Sequence, residues 1–272
     1  MAGNAGFTGV IPDIYDQGLG PMIFVDFAAE MARRVAALAP MDVLETAAGT
    51  GIVTRKLRDA LPAAAHLTAT DLNPPMLDVA RTKVSAGEDV VFQPADALDL
   101  PFADSSFDAV VCQFGIMFYP DRDLANREVF RVLKPGGHYL FSTWDSHRYN
   151  PNARIAQGVV ERFFPVDPPR FYHVPFSCHD IDPIRQSCND AGFTGFHAEV
   201  LTLEKVVPNL AAFAHAMVHG NPLVNQIAER DGVQAGDVVA ALHTAMAAEF
   251  GTDPARMPLQ VLMFRVQKPP SA

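Results

Sequence analysis

Disulfide-forming residues are scarce: among 272 residues there are three cysteines, Cys112, Cys178 and Cys188, and none lies in a CxxC pair. That excludes a disulfide framework and a zinc knuckle and predicts a reduced, cytoplasmic setting. No segment reaches the ~18 consecutive uncharged apolar residues that a membrane span needs, so none is expected. The opening MAGNAGFTGVIPDIYDQG has neither a basic start nor a long apolar stretch, so no secretory leader is expected there. Basic residues are outnumbered, 21 Lys and Arg against 31 Asp and Glu, and no basic run occurs. A net charge of −10 leaves little to displace counterions along a phosphate backbone, which argues against a nucleic-acid partner. No internal repeat is present.

What is present is a globular composition, 49% hydrophobic and 19% charged, on a chain long enough to bury a substantial core. Residues 22–38 carry apolar side chains at helical spacing around Arg33 and Arg34 and predict an amphipathic helix. Strands then alternate with helices: 42–45 with 51–61, 67–71 with 75–85, 90–94 with a loop, 109–113 with a helix near 125–133, and a strand at 138–143. This βαβα order predicts a parallel sheet covered on both faces. Beyond Trp144 the texture changes. Residues 161–183 mix prolines with aromatics and histidines and predict an irregular loop. A helix at 184–191, a strand at 196–206, two helices within 209–250 separated by Gly232 and Gly236, and a last strand at 259–266 follow.

The most informative stretch is MDVLETAAGTG, residues 41–51, where an apolar run ends in Glu45 and breaks into a turn carrying Gly49 and Gly51. Such glycines let backbone approach a ligand and lead tightly into a helix whose first amides attract an anionic group. Their simpler reading is closure of a βα turn. One βαβ unit later a second apolar run, residues 66–70, ends in Asp71, a carboxylate able to accept both hydroxyls of a ribose. A dinucleotide-binding GxGxxG would need a third glycine where Thr54 stands, so that reading loses its close-packing residue.

Residues 90–108, VVFQPADALDLPFADSSFD, and 108–144, DAVVCQFGIMFYPDRDLANREVFRVLKPGGHYLFSTW, join VLETAAGTG and TATDLNPPML in one order over about 105 residues. Together they resemble the class I S-adenosylmethionine-dependent methyltransferases, with RVLKPGG as the signature turn. Within that superfamily CQFGIMFYPDR is most similar to the ubiquinone/menaquinone-biosynthesis type and its small-molecule relatives. The resemblance implies an α/β, doubly wound, Rossmann-like seven-stranded sheet of order 3-2-1-4-5-7-6, with an N-terminal helical lid and a helical insertion between strands 6 and 7. It implies one methyltransferase domain over 1–272: a lid at 1–40, a donor-binding core at 41–145, acceptor-side loop, helix and strand at 146–207, the insertion at 208–258, and a last strand with tail at 259–272.

By the same resemblance, Glu45 and the backbone from Ala47 through Gly49, Thr50 and Gly51 hold the methionine part of S-adenosylmethionine. Asp71 binds the ribose, Leu72 and Met76 pack near the adenine, and Asp96 and Ala97 read its edge. Gln113 faces the methionine part with Phe114 beside it. For Leu72, Met76 and Phe114, core packing is an equal alternative. The family's first glycine is replaced by Ala47, which costs little provided φ there stays negative. NPPM at 73–76 resembles a tetrapeptide that holds planar nitrogens in amide methyltransferases, but there it follows the fourth strand. Here it predicts a helix start with proline in the first turn.

Methyl transfer from a sulfonium is an in-line, downhill displacement, so alignment and water exclusion supply much of the acceleration, and a base is needed only if the acceptor must lose a proton early. Seven of the nine histidines lie beyond residue 140. His173 or Tyr172, in PPRFYHVPF, is the candidate base or orienting group; loop packing is the simpler reading of each. His215 and His219 are four apart, a metal-ligand spacing without a third ligand, so no metal is expected. Tyr15 and Phe24 are placed to close over the donor, or else to staple the first helix. The insertion walls the acceptor pocket or builds a homodimer contact. Acidic charge with Phe-rich loops favours a neutral or lipophilic small-molecule acceptor, phenol- or quinone-like, methylated on oxygen or carbon. The alternatives are an N- or S-methyltransferase of a small metabolite and a non-catalytic S-adenosylmethionine-binding protein.

Overall fold

A computed structural model describes residues 6–252 and 254–271. Five parallel strands form first: β1 (Asp42–Glu45), β2 (His66–Asp71), β3 (Val90–Pro94), β4 (Phe107–Gln113) and β5 (Leu133–Trp144). β6 (Thr194–Val207) and β7 (Ala255–Gln267) complete the sheet, with β7 antiparallel to both β5 and β6. The order is β3-β2-β1-β4-β5-β7-β6, as the resemblance implied. Central strands read as continuous apolar runs because helices cover both faces; Ala109, Val110, Val111 and Cys112 of β4 are fully buried.

The helices between these strands are set by local signals. α3 (Ile52–Ala60) starts behind Gly51, whose φ of +79° is left-handed. α4 (Pro74–Arg81) carries two prolines in its first turn, so NPPM is a helix start. α5 (Arg122–Val132) is capped by Asp121, whose carboxylate accepts the Leu124 N–H at 2.8 Å. α7 (Ile181–Asp190) precedes β6.

Elsewhere the structure departs from sequence expectation. The N-terminal helix is three pieces: α1 (Ile11–Ile14), a π-helical segment over Tyr15–Phe24 that contains Pro21, and α2 (Val25–Ala36). The widened turn sits where Gly18 abuts the insertion, since a methyl at 18 would lie 2.4 Å from Ala216 Cβ. A helix that periodicity did not flag, α6 (Pro151–Phe163), lies before the expected irregular region and runs into its first residues. The insertion holds three helices, α8 (Leu210–His219), α9 (Leu223–Ala228) and α10 (Ala235–Phe250), and Gly236 lies inside α10 instead of before it. α8 packs on the π-helical segment, and α10 on α8 and α6, so the inserted layer joins the N-terminal helices over the strand ends. Among the described residues no helix is long and apolar enough to cross a membrane.

This arrangement puts Glu45, Asp71, Gln113 and Trp144 at the last positions of β1, β2, β4 and β5, on one edge of the sheet. That edge is where open α/β sheets take ligands. The α3–α4 approach holds it in register: a methyl at Gly51 would lie 2.7 Å from Ala80 Cβ and 2.9 Å from Ala80 Cα. Gly51→Ala combines this clash with a disfavoured φ and should lower stability by about 2–4 kcal/mol in urea unfolding. A loss under about 1 kcal/mol would mean that α4 moves aside at no cost.

Candidate functional site

A cavity of about 210 Å³ opens along this edge, lined by Glu45, Ala47, Gly49, Thr50, Asp71, Leu72, Met76, Asp96, Ala97, Gln113 and Phe114, with Tyr15 and Phe24 from the N-terminal segment. All of the residues singled out from the sequence for the donor line it except Gly51, which shapes the turn from behind. Asp71 organises the floor. One carboxylate oxygen accepts the Gly49 N–H at 2.9 Å, and the other accepts the Asn73 N–H at 2.8 Å and its amide at 3.3 Å. Burial pushes the Asp71 carboxyl up, while these donors pull it back.

Glu45 is 2% exposed and accepts the Thr54 hydroxyl at 2.6 Å. Thr54, which displaces the third glycine of a dinucleotide motif, thus anchors this acid. Desolvation pushes the Glu45 carboxyl up to about 8, helped by the nearby Asp71 charge and opposed by Thr54. Ala47 has φ of +53°, so the expectation of a negative φ fails. The alanine sits in a left-handed turn, a strain of about 1–2 kcal/mol. Its methyl is tolerated because residue 115 is glycine; a Cβ there would lie 2.5 Å from Ala47 Cβ.

Two buried polar atoms of the cavity wall, Thr50 Oγ1 and Gln113 Oε1, meet no partner among the described residues. Gln113 Nε2 donates weakly to the Phe24 carbonyl at 3.4 Å. Asp96 accepts the Leu98 N–H at 2.9 Å, which closes the turn after β3. Unpaired acceptors beside two carboxylates and an exposed glycine backbone suit a ligand bearing hydroxyl and ammonium donors. The nucleoside and amino-acid ends of S-adenosylmethionine carry both.

A second cavity of about 70 Å³ adjoins the first and shares Phe7, Tyr15, Phe24, Phe114 and Phe118 with it. Phe114, with φ of +55°, stacks flat on Trp144 at 4.3 Å, and Tyr15 stacks on Phe24 at 4.9 Å. Tyr172 lines this cavity, but its hydroxyl donates to the Met217 carbonyl at 2.6 Å and burial pushes its pKa up, which disfavours a base. His173 lines neither cavity. Its side chain is 54% exposed and stands 4.0 Å from Glu161, because the short turn over Phe171–His173 points neighbouring side chains opposite ways. His215 and His219 stack at 4.4 Å, and no group of three or more potential metal ligands occurs among the described residues.

Sequence reading missed Trp144, Tyr119, Asn152 and Asn221 in these walls. Trp144 carried a usable signal, the carboxyl end of a parallel strand. Tyr119, whose hydroxyl lies 3.4 Å from Thr46 Oγ1, and the two asparagines carried none.

Residues 44–141 match a family described as a methyltransferase domain. The chain is 39% identical over 141 residues to the demethylmenaquinone methyltransferase of Thermus thermophilus, covering 52% of this chain and 58% of that protein. It is 42% identical over 100 residues to the ubiquinone/menaquinone biosynthesis C-methyltransferase UbiE of Brucella anthropi, covering 36% and 38%. The match therefore spans 58% of the first of these relatives and 38% of the second. Solved structures share the fold: YcgJ of Bacillus subtilis (TM-score 0.60, 18% identity, covering 90% of this chain and 100% of that one) and a Haemonchus contortus phosphoethanolamine N-methyltransferase in complex with S-adenosylhomocysteine (0.58, 17%, 95% and 57%).

The buried Glu45 has a pH signature. Unfolded, its carboxyl titrates near 4.5; folded, it holds its proton to about 8. The stability this gives is complete below the lower value and is lost as pH rises through the upper one. In the ligand-free protein, Glu45→Gln should be near neutral at about pH 5 and stabilising by about 2–4 kcal/mol at about pH 8.5. Denaturant midpoints at the two pH values check this; a difference that does not open with pH would place the carboxyl in water.

Proposed function

We propose, from the premise that this chain belongs to the class I S-adenosylmethionine-dependent methyltransferases, that it transfers a methyl group to a small neutral or lipophilic acceptor seated in the aromatic cavity. The observation that carries the reading is the shared wall: Tyr15, Phe24 and Phe114 face both the polar cavity and the apolar one. A donor site and an acceptor site that meet across a few rings suit direct group transfer.

In this reading Glu45 and the 47–51 backbone hold the amino-acid end of the donor, and Asp71 takes the ribose hydroxyls. Leu72 and Met76 pack on the adenine, Asp96 and Ala97 meet its edge, and Gln113 turns its free oxygen to the methionine part. The bound group supplies an electrophilic methyl on a positively charged sulfur. Phe24, Phe114 and Trp144 exclude water at the junction, and the rigid stack of the last two fixes the direction of approach. Tyr15, Tyr119 and Tyr172 are all held above the ordinary phenol range by burial, so each keeps its proton and orients. An acceptor that carries its own electron-rich atom, as a phenol or quinol does, fits a site built this way. The quinone-related names of the similar proteins support that class, with carbon methylation as the specific form.

Incubation with S-adenosylmethionine and a panel of phenols, quinols, amines and thiols, read by mass detection, tests the proposal. Methylated phenol or quinol is expected, and S-adenosylhomocysteine formation with amines or thiols alone would overturn the acceptor class. Asp71→Ala should weaken S-adenosylhomocysteine binding by about 2–3 kcal/mol in calorimetry, for lost charge-assisted hydrogen bonds. Unchanged affinity would move the ribose elsewhere.

A further inference from the structure

The aromatic cavity is walled almost wholly by carbon, yet Asn152 stands in it 3% exposed, with an Oδ1 that is buried and meets no donor among the described residues. Tyr172 and Asn221, which also line this cavity, are satisfied within the chain. Tyr172 donates to Met217, and Asn221 gives its amide to the Met217 carbonyl at 2.8 Å while accepting the Leu223 N–H at 3.0 Å. An orphaned buried carbonyl costs about 1–3 kcal/mol, so a missing partner is expected to be supplied from outside the chain.

Asn152 is also held in place. It lies in the first turn of α6, two residues after Asn150, which donates to the Asp145 and Gln260 carbonyls at 2.9 Å each and accepts the Gln260 N–H at 3.0 Å. The start of the helix that carries Asn152 is thereby clamped to β7. Among the described residues no Asp, Glu, Lys, Arg or His lines this cavity, so none of them balances a charged ligand.

We propose that Asn152 is the specificity residue of the acceptor site, its Oδ1 accepting a hydrogen bond from a hydroxyl on a neutral aromatic ring. The proposal rests on the assignment of the apolar cavity to the acceptor. It explains why an amide with an unpartnered oxygen is kept among rings: a pocket built to bond a hydroxyl rejects analogues that lack it far better than shape alone can. The same bond sets the ring's orientation, and with it which atom faces the donor cavity.

Trp144 is the sole tryptophan of the chain and lines this cavity, so its emission reports occupancy without turnover. With S-adenosylhomocysteine present at saturation, phenol and toluene differ by a hydroxyl against a methyl on equal frames. The unaltered protein should bind phenol about tenfold more tightly, the value of one net hydrogen bond, although apolarity alone favours toluene. Asn152→Leu should abolish the preference while S-adenosylhomocysteine affinity stays the same. Equal or reversed affinities in the unaltered protein overturn the proposal whether or not the variant folds. So does a preference that survives in a folded Asn152→Leu, or benzylammonium binding more tightly than phenol. Failure of S-adenosylhomocysteine to bind is a separate readout and counts against the donor assignment instead.

Discussion

Two carboxylates, Glu45 and Asp71, are buried side by side at the ends of neighbouring strands, and the architecture around them answers that cost. Charge taken out of water must be neutralised, paired or hydrogen-bonded. Asp71 is met by backbone N–H groups of two different turns, which ties the loop after β1 to the loop after β2. Glu45 is met by the Thr54 hydroxyl from α3 and otherwise keeps its proton. The glycine turn, the start of α3 and the start of α4 are therefore fixed relative to one another by the chemistry of two acids. The ligand-free protein holds its polar edge under electrostatic tension that a cationic or hydroxyl-bearing ligand relieves.

The polar half of the site was legible in the sequence because it is local. Each of its residues follows directly on a strand, and strands of a parallel sheet announce themselves as apolar runs at βαβ spacing, so Glu45, Asp71 and Gln113 could be placed at one edge. The apolar half is assembled from pieces more than two hundred residues apart: Phe7, Asn152, Tyr172 and Asn221 converge only through the packing of α8 on the π-helical segment and of α6 on α10. No periodicity encodes that convergence. Asn152 sits in the first turn of α6 and Asn221 in the link between α8 and α9, where polar residues are ordinary, and a histidine in a proline-rich loop draws more notice than the tyrosine before it. Direction within a three-residue turn is invisible in a sequence, and it separates Tyr172 inside from His173 outside.

Two further misreadings share a cause. Proline was read as a loop signal from residue 161 onward, and α6 before it went unnoticed because its own proline sits harmlessly at the first position. Gly236 was read as a separator, yet it lies in the first turn of α10, where open space surrounds it and its lack of a side chain costs little. A proline or glycine in the first turn of a helix does not stop it.

The contact of Ala47 with Gly115 has a consequence for how such a site changes over generations. The methyl at 47 occupies space that a side chain at 115 would need, so the two positions form an epistatic pair. Alanine at the first excludes a side chain at the second, and Cys112 Sγ, 2.7 Å from the same Cβ position, excludes it again, so glycine at 115 is held from two sides. Sterics therefore tie positions 47, 112 and 115 into one set in the sequence history of the binding edge.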